Sequence, residues 1–308
     1  MKALLFPGQG SQIVGMGSEF YNNFDEAKNI FLEADETLKF KISKIILEGP
    51  ENELKLTQNT QPAILLTSYT IFTILKKKFN FDLNQINFFA GHSLGEYSAL
   101  VCANSLKFKD ALYLLNERGK AMQEAVPVGE GAMLAVLGCE IEEIEKYIKL
   151  ITAGGVCEIA NDNANGQTIV SGNSSTINNL KDILKKNNKK SILLPVSAPF
   201  HCSLMISAAE KMKSKIEKTN FNKPQFQIVN NVQASVENES NTFKKLLVEQ
   251  IYSRVRWRES IIYMAKNGVD HFIEIGPGKV LSGLIKRIIQ DVDCSNINSI
   301  VDMQQLTK

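Results

Sequence analysis

Residues 90–100 read AGHSLGEYSAL and place one serine, Ser93, between two glycines. The run before it, INFFA, is apolar and strand-like; the run after it suits a helix. A G-x-S-x-G pattern at a strand-to-helix turn holds a hydroxyl up at the end of a sheet. The N-terminus of the following helix then offers backbone N–H donors and partial positive charge beside that hydroxyl. Such a site suits attack on a carbonyl, because N–H groups bind the oxyanion that forms. The competing reading is a glycine-flanked turn whose serine only caps the helix.

A serine hydroxyl needs a base at neutral pH, and the chain has three histidines. His92 adjoins the serine, so a sharp turn should point its side chain elsewhere. His271 begins an expected buried strand and reads as structural. His201, in SAPFHCSLM, sits between a strand end and a helix start, at the rim where active-site groups collect in α/β sheets. It is the expected base, against the alternative of a surface or core histidine. A second strand–turn, FPGQG, would let the backbone N–H of Gln9 approach a ligand, or is an ordinary glycine turn. Arg118, in NERGKAMQ, lies on a helix after the serine turn. Arginines at such places usually face solvent; one turned into a cleft would bind a carboxylate through two hydrogen bonds.

The elements that must position these groups follow from the pattern. ALLF near the start reads as a buried strand; helices are expected at about 18–36, 60–78 (with Pro62 in the first turn), 94–103 and 107–124. Strands alternating with helices predict a mostly parallel α/β sheet. The middle of the chain differs. GAMLAVLG (131–138), a helix at 140–150, a hairpin of 157–161 and 167–172 around DNANG, a helix at 175–188 and a strand at 191–197 run in the order β-α-β-β-α-β. That order is the ferredoxin-like one. The expected organisation is therefore an inserted subdomain at 126–197, with 1–125 and 198–308 forming the larger α/β body. After the insert come a helix at 203–217, a strand at 226–232, helices at 242–252 and 257–267, and a strand at 271–275. A GPG turn then opens the helix KVLSGLIKRIIQ.

Composition bounds the function. The 308 residues carry 35 basic and 33 acidic side chains, a net charge of +2, which gives no general pull toward nucleic acid or a membrane surface. Five cysteines, with no metal-ligand or redox spacing, predict reduced thiols. GPGKVLSG lacks the spacing of a phosphate-binding loop, and no apolar run is long enough to span a bilayer. ALLF is too short for a signal-peptide core, so the expectation is a cytoplasmic protein, or a mature organellar form without its targeting peptide. No metal or permanent cofactor is indicated. A serine hydrolase would need an acid between the serine and a late histidine, and the late histidine here, His271, starts a strand. A patatin-like lipase would need an Asp-Gly turn, and the sequence has none.

Seven ordered segments, FPGQGSQ, GHSLGEYSAL, RGKAMQEA, NDNANGQTIVSG, PFHCSLM, VEQIYSRVRW and EIGPGKVLSGLIKR, resemble the malonyl-CoA:acyl-carrier-protein transacylases of fatty-acid synthesis, from about residue 4 to residue 288. The resemblance implies an α/β-hydrolase-like body with a ferredoxin-like insert. It implies that Ser93 carries the malonyl group as an ester and that His201 moves the proton. The backbone N–H groups of Gln9 and Leu94 would form the oxyanion hole, and Arg118 would pair with the malonyl carboxylate. Gln250, in VEQIY, would orient His201 through its backbone carbonyl, and Asn161 and Asn163 would line the cleft. Phe200 stands where several relatives have serine, which should alter cleft shape and not chemistry. The implied partners are malonyl-CoA as substrate and an acidic acyl carrier protein, for which Lys120, Lys189 and Lys190 are candidate contacts. The family's discrete forms suggest a monomer.

Overall fold

A computed structural model describes residues 1–151, 154–196 and 198–307. Its two sheets define two lobes. The larger sheet has six strands: β1 (Lys2–Phe6), β2 (Ile86–Gly91), β7 (Gln227–Val229), β8 (Val236–Glu237), β9 (His271–Ile275) and β10 (Asp293–Ile297). Their order is β10-β9-β1-β2-β7-β8. The first five pair in parallel, and β8 closes one edge antiparallel to β7. Strands covered on both faces must be apolar at consecutive positions. Leu4, Phe6 and Phe89 accordingly point into one core, while Ala3, Leu5, Phe88 and Ala90 point into a second core behind the sheet.

The other sheet has four strands: β3 (Gly131–Leu137), β4 (Cys157–Ala164), β5 (Gln167–Asn173) and β6 (Lys190–Leu193), all antiparallel, in the order β4-β5-β3-β6. Helices Ile141–Lys149 and Ser174–Lys186 cover one face. Leu134, Val136 and Val170 point toward those helices, while the alternate positions Met133, Ala135 and Ile169 join the main core. This sheet therefore lends one of its faces to the larger lobe.

Several expected elements move. The helix at 18–36 is two, Ser18–Asn23 and Asp25–Leu38, broken where Phe24 turns extended with its ring edge-on to Phe79. The helix expected from 60 starts at Thr57, so Pro62 lies in its second turn. A proline there cannot donate to the carbonyl four residues back; the Gln58 carbonyl accepts the Asn116 side-chain amide instead, at 2.9 Å. The hairpin turn is only Asn165–Gly166. Strand β4 continues through Asp162, Asn163 and Ala164, because its backbone also bonds Val255 of the larger lobe: Val255 N donates to Ala160 O at 2.8 Å and Asp162 N to Val255 O at 3.0 Å. Strand β6 ends at Leu193, short of the expected 197, and Ser197 lies outside the described residues. Strand β10, with the polar sequence DCSNI, has no counterpart among the expected elements.

Candidate active site

Ser93 follows β2 and precedes the helix Gly95–Cys102, with φ of 52°, the left-handed region. The glycines around it are there for lack of room. A Cβ on Gly91 would stand 1.9 Å from the Gly95 carbonyl, and one on Gly95 would stand 2.2 Å from Phe6 O. The second contact shows why the FPGQG turn belongs beside the serine: the end of β1 packs directly on the elbow, and His92 N donates to Phe6 O at 3.0 Å. Asn231, after β7, locks the turn from the other side. Its Oδ1 accepts from Ser93 N at 2.7 Å and its Nδ2 donates to Gly91 O at 2.7 Å.

His201 arrives from 108 residues away, in a return segment held at several points. Ser203 N and Oγ donate to the Glu158 carboxylate of β4 at 2.9 and 2.6 Å, and Cys202 Sγ donates to Pro199 O at 3.1 Å. His201 also has a left-handed φ, 59°. Strain of this kind concentrates at functional positions. Its Nε2 lies 2.8 Å from Ser93 Oγ, and its Nδ1 lies 2.8 Å from the backbone carbonyl of Gln250. A carbonyl only accepts, so Nδ1 carries the proton and Nε2 is free to accept from the serine hydroxyl. Burial, with the Arg118 charge adding to it, pushes His201 down to about 3. The imidazole is therefore neutral, as a base must be.

Arg118 is 1% exposed. Its helix, Phe108–Glu124, lies so close to the helix Thr57–Lys78 that a Cβ on Gly119 would meet Gln58 Cα at 2.5 Å. The guanidinium is thereby aimed inward: Nη1 donates to Gln61 Oε1 at 2.8 Å, and Nη2 donates to Gln250 Oε1 at 3.0 Å and to Ser93 Oγ at 3.2 Å. Its Nε is buried with no partner among the described residues, and burial lowers its pKa. A desolvated cation with an unused donor is a receptor for an anion.

These groups border one cavity of about 170 Å³. Gln9, Leu94, Ser93, His201 and Arg118 line it, as do Asn161 and Asn163 from β4. Met122, Met133, Ile169, Leu194, Val196 and Phe200 make an apolar wall. Gln250 stands behind Ser93, and its side-chain amide Nε2 donates to Ser93 O at 3.1 Å. His92 turns away from the serine dyad to Asn163, with Nε2 and Oδ1 2.8 Å apart, and rests against Trp257. His271 sits at the far end of β9 against Ser295. Lys120 and Lys189 are paired with Glu117 and Glu143 at 2.9 and 2.8 Å, and Lys190 is exposed at the start of β6. The five cysteines are free thiols.

Three participants escape a reading of the sequence: Gln61, Asn231 and Glu96. Gln61 lies in TQNTQP, a polar start to an otherwise apolar helix, and Asn231 in NNV after an apolar strand. Polar residues inside apolar periodicity were the available signal. Glu96 stands in S-x-x-E, which imitates a helix-capping pattern; its carboxylate instead accepts from Asn231 N and Gln250 Nε2.

Residues 3–306 match the family model of the acyl transferase domain. A malonyl CoA-acyl carrier protein transacylase of Bacillus subtilis (strain 168) is 47% identical over 288 residues, 93% of this chain and 90% of the relative. The crystal structure of an acyl-carrier-protein-S-malonyltransferase from Bartonella henselae superposes with a TM-score of 0.96 at 39% identity, over 99% of this chain and 97% of that one. A malonyl-transacylase solved in complex with a type II polyketide-synthase acyl-carrier protein gives 0.96 at 38% identity, over 99% and 98%. In sequence and in fold, this chain belongs to the acyl transferase family of malonyl-CoA:acyl-carrier-protein transacylases.

Proposed function

We propose that the chain moves a malonyl group from malonyl-CoA to the phosphopantetheine thiol of an acyl carrier protein, in fatty-acid biosynthesis, through a malonyl ester on Ser93. The observation that carries the roles is the relay Ser93 Oγ–His201 Nε2–Gln250 O, with an Arg118 Nη2 donor on the same serine oxygen. In the first half-reaction Ser93 Oγ bonds to the thioester carbonyl carbon while its proton passes to His201 Nε2. The oxyanion that forms is bound by the backbone N–H groups of Gln9 and Leu94. Collapse breaks the C–S bond, and His201 returns the proton to the leaving CoA thiolate. In the second half the carrier thiol gives its proton to His201, attacks the ester carbonyl, and the proton goes back to Ser93. A backbone carbonyl fixes the histidine tautomer here, so no third acidic residue is required.

Arg118 receives the free malonyl carboxylate, and Asn161 and Asn163 form the opposite wall. A guanidinium left facing an acetyl group would be buried without an anion, which disfavours that donor by on the order of 2–5 kcal/mol. The chain divides into an α/β-hydrolase-like body, 1–125 and 198–308, and a ferredoxin-like insert, 126–197, whose strand order supports that name. We read it as a monomer, since the dyad, the arginine and both cavity walls come from one chain. No helix among the described residues is long and apolar enough to cross a membrane. The test is mass spectrometry after exposure to malonyl-CoA: the wild type should gain one malonyl group, and Ser93→Ala none. Malonyl transfer to holo but not apo carrier protein completes it; a labelled Ser93→Ala protein would reject the assignment.

A further inference from the structure

Glu96 is a charged side chain 1% exposed, on the first turn of the helix that follows the nucleophile. It touches none of the reacting atoms. A carboxylate is costly to bury, so what it contacts is informative. Its Oε2 accepts from Asn231 N at 3.1 Å and from the side-chain Nε2 of Gln250 at 2.7 Å.

Gln250 is where the site's parts meet. Its main-chain carbonyl holds His201. Its side-chain amide has a donating end and an accepting end, and the two are not interchangeable. The donating end faces Glu96 and Ser93 O; the accepting end, Oε1, receives Arg118 Nη2 at 3.0 Å. Turned over, the amide would set its NH2 against the guanidinium, donor against donor, and its carbonyl against the carboxylate. Gln61 holds only the other terminal nitrogen of Arg118.

We propose that Glu96 is a positioning residue for acyl-group selection: it fixes the sense of the Gln250 amide and, through it, the place of the Arg118 guanidinium above Ser93. Burial raises Glu96 to about 7, yet a neutral acceptor serves the same end, so the role is geometric. The Ser93–His201 contact is held by Gln250 O on the histidine and Asn231 Oδ1 on Ser93 N, neither of which bonds Glu96, and it should survive the loss of Glu96.

The proposal rests on Arg118 as the carboxylate receptor, and the experiment separates the two. Malonyl and acetyl transfer to holo carrier protein are compared, as kcat/KM, for wild type, Arg118→Ala, Glu96→Ala, Glu96→Asp and Glu96→Gln. Glu96→Ala should lose about tenfold of the malonyl preference, in the direction of Arg118→Ala, chiefly through KM. Glu96→Asp, one methylene too short to reach Gln250, should do the same and decides the matter where the alanine variant does not fold. Glu96→Gln keeps an acceptor in place and should stay within about threefold of wild type. Wild-type preference in Glu96→Ala or Glu96→Asp beside a changed Arg118→Ala overturns the role of Glu96 alone, as does a Glu96→Gln protein as impaired as the alanine variant. An unchanged preference in Arg118→Ala overturns the reading beneath it.

Discussion

The two lobes hold opposite sides of one cavity by different means. On the six-stranded side the Ser93 oxygen is placed by main chain: the serine sits at φ 52°, between glycines whose absent Cβ atoms leave room for neighbouring carbonyls. On the four-stranded side the contributions are side chains, Asn161 and Asn163 beside Met133 and Ile169. That lobe is tied to the first by the Asp162–Arg258 pair, two hydrogen bonds of 2.9 Å, by the backbone bonds to Val255 and by the His92–Asn163 contact. Main-chain packing has no rotamers with which to adapt. Substitution should therefore abolish chemistry on the first side and only alter the pocket on the second.

The same replacement made in each lobe should have very different consequences. An alanine at Gly91 would press its methyl to 1.9 Å from the Gly95 backbone, which cannot retreat because Gly95 itself abuts Phe6 O. We expect Gly91→Ala to lose more than ~4 kcal/mol in urea unfolding, or to fail to accumulate as folded protein. Gly138, in the other lobe, has a left-handed φ, 70°, which Gly91 does not, but nothing among the described residues lies within 4 Å of its missing Cβ. Gly138→Ala should cost about 1 kcal/mol and leave kcat unchanged. A Gly91→Ala enzyme of ordinary stability would remove the distinction drawn between the lobes.

How far the sequence disclosed each lobe follows the same division. The elbow was legible because a sharp turn under a nucleophile dictates its own glycines. The strands β1 and β2 were legible because burial on both faces demands largely apolar runs, and β9 from Phe272, Ile273 and Ile275 in spite of the buried Glu274 among them. Strand β10 was not: an edge strand with one covered face can read DCSNI, and little in that run looks like a strand. The extension of β4 past Asn161 was hidden for another reason, since its cause is Val255, almost a hundred residues away. In the site, Ser93 and His201 stand out by their chemistry, whereas Arg118 reads locally as a solvent-facing arginine and is singled out only by the resemblance. Gln61, Asn231 and Glu96 act only through groups brought to them by folding, and local pattern says nothing of such partners. The capping-like S-x-x-E at Ser93 even points the wrong way.

Burial displaces the titratable groups around Ser93 in opposite directions. His201 falls from an ordinary 6.5 to about 3 in the folded protein. Between those values the unfolded chain binds the extra proton, so this histidine's contribution to stability is present above 6.5 and is lost as pH falls toward 3. Glu96, raised from 4.5 to about 7, works with the opposite sign: its contribution is full below 4.5 and fades as pH rises through 7. The stability difference between wild type and His201→Gln cancels the Glu96 term, which both proteins share. That difference should move against the wild type from pH 7 to pH 4.5 by urea unfolding. A pH-independent difference would mean that the imidazole charges in place without penalty.

The smallest expected effect tests whether the second lobe shapes binding without touching catalysis. Asn163 Oδ1 accepts from His92 Nε2 across the gap between the lobes, and both residues line the cavity. His92 is only partly buried, so water can replace the lost partner in Asn163→Ala, and the cost should be that of one exchanged hydrogen bond, about 1 kcal/mol. Neither Ser93, His201 nor Arg118 bonds to Asn163, so the loss should fall on KM for malonyl-CoA, a few-fold, with kcat held. Burst labelling of Ser93 at saturating malonyl-CoA gives the cleanest measurement, since it isolates the first half-reaction from carrier docking. A slower burst at saturation would mean that this wall orders the thioester for attack, and the division between a rigid chemical side and an adjustable binding side would then run through β4 instead of between the sheets.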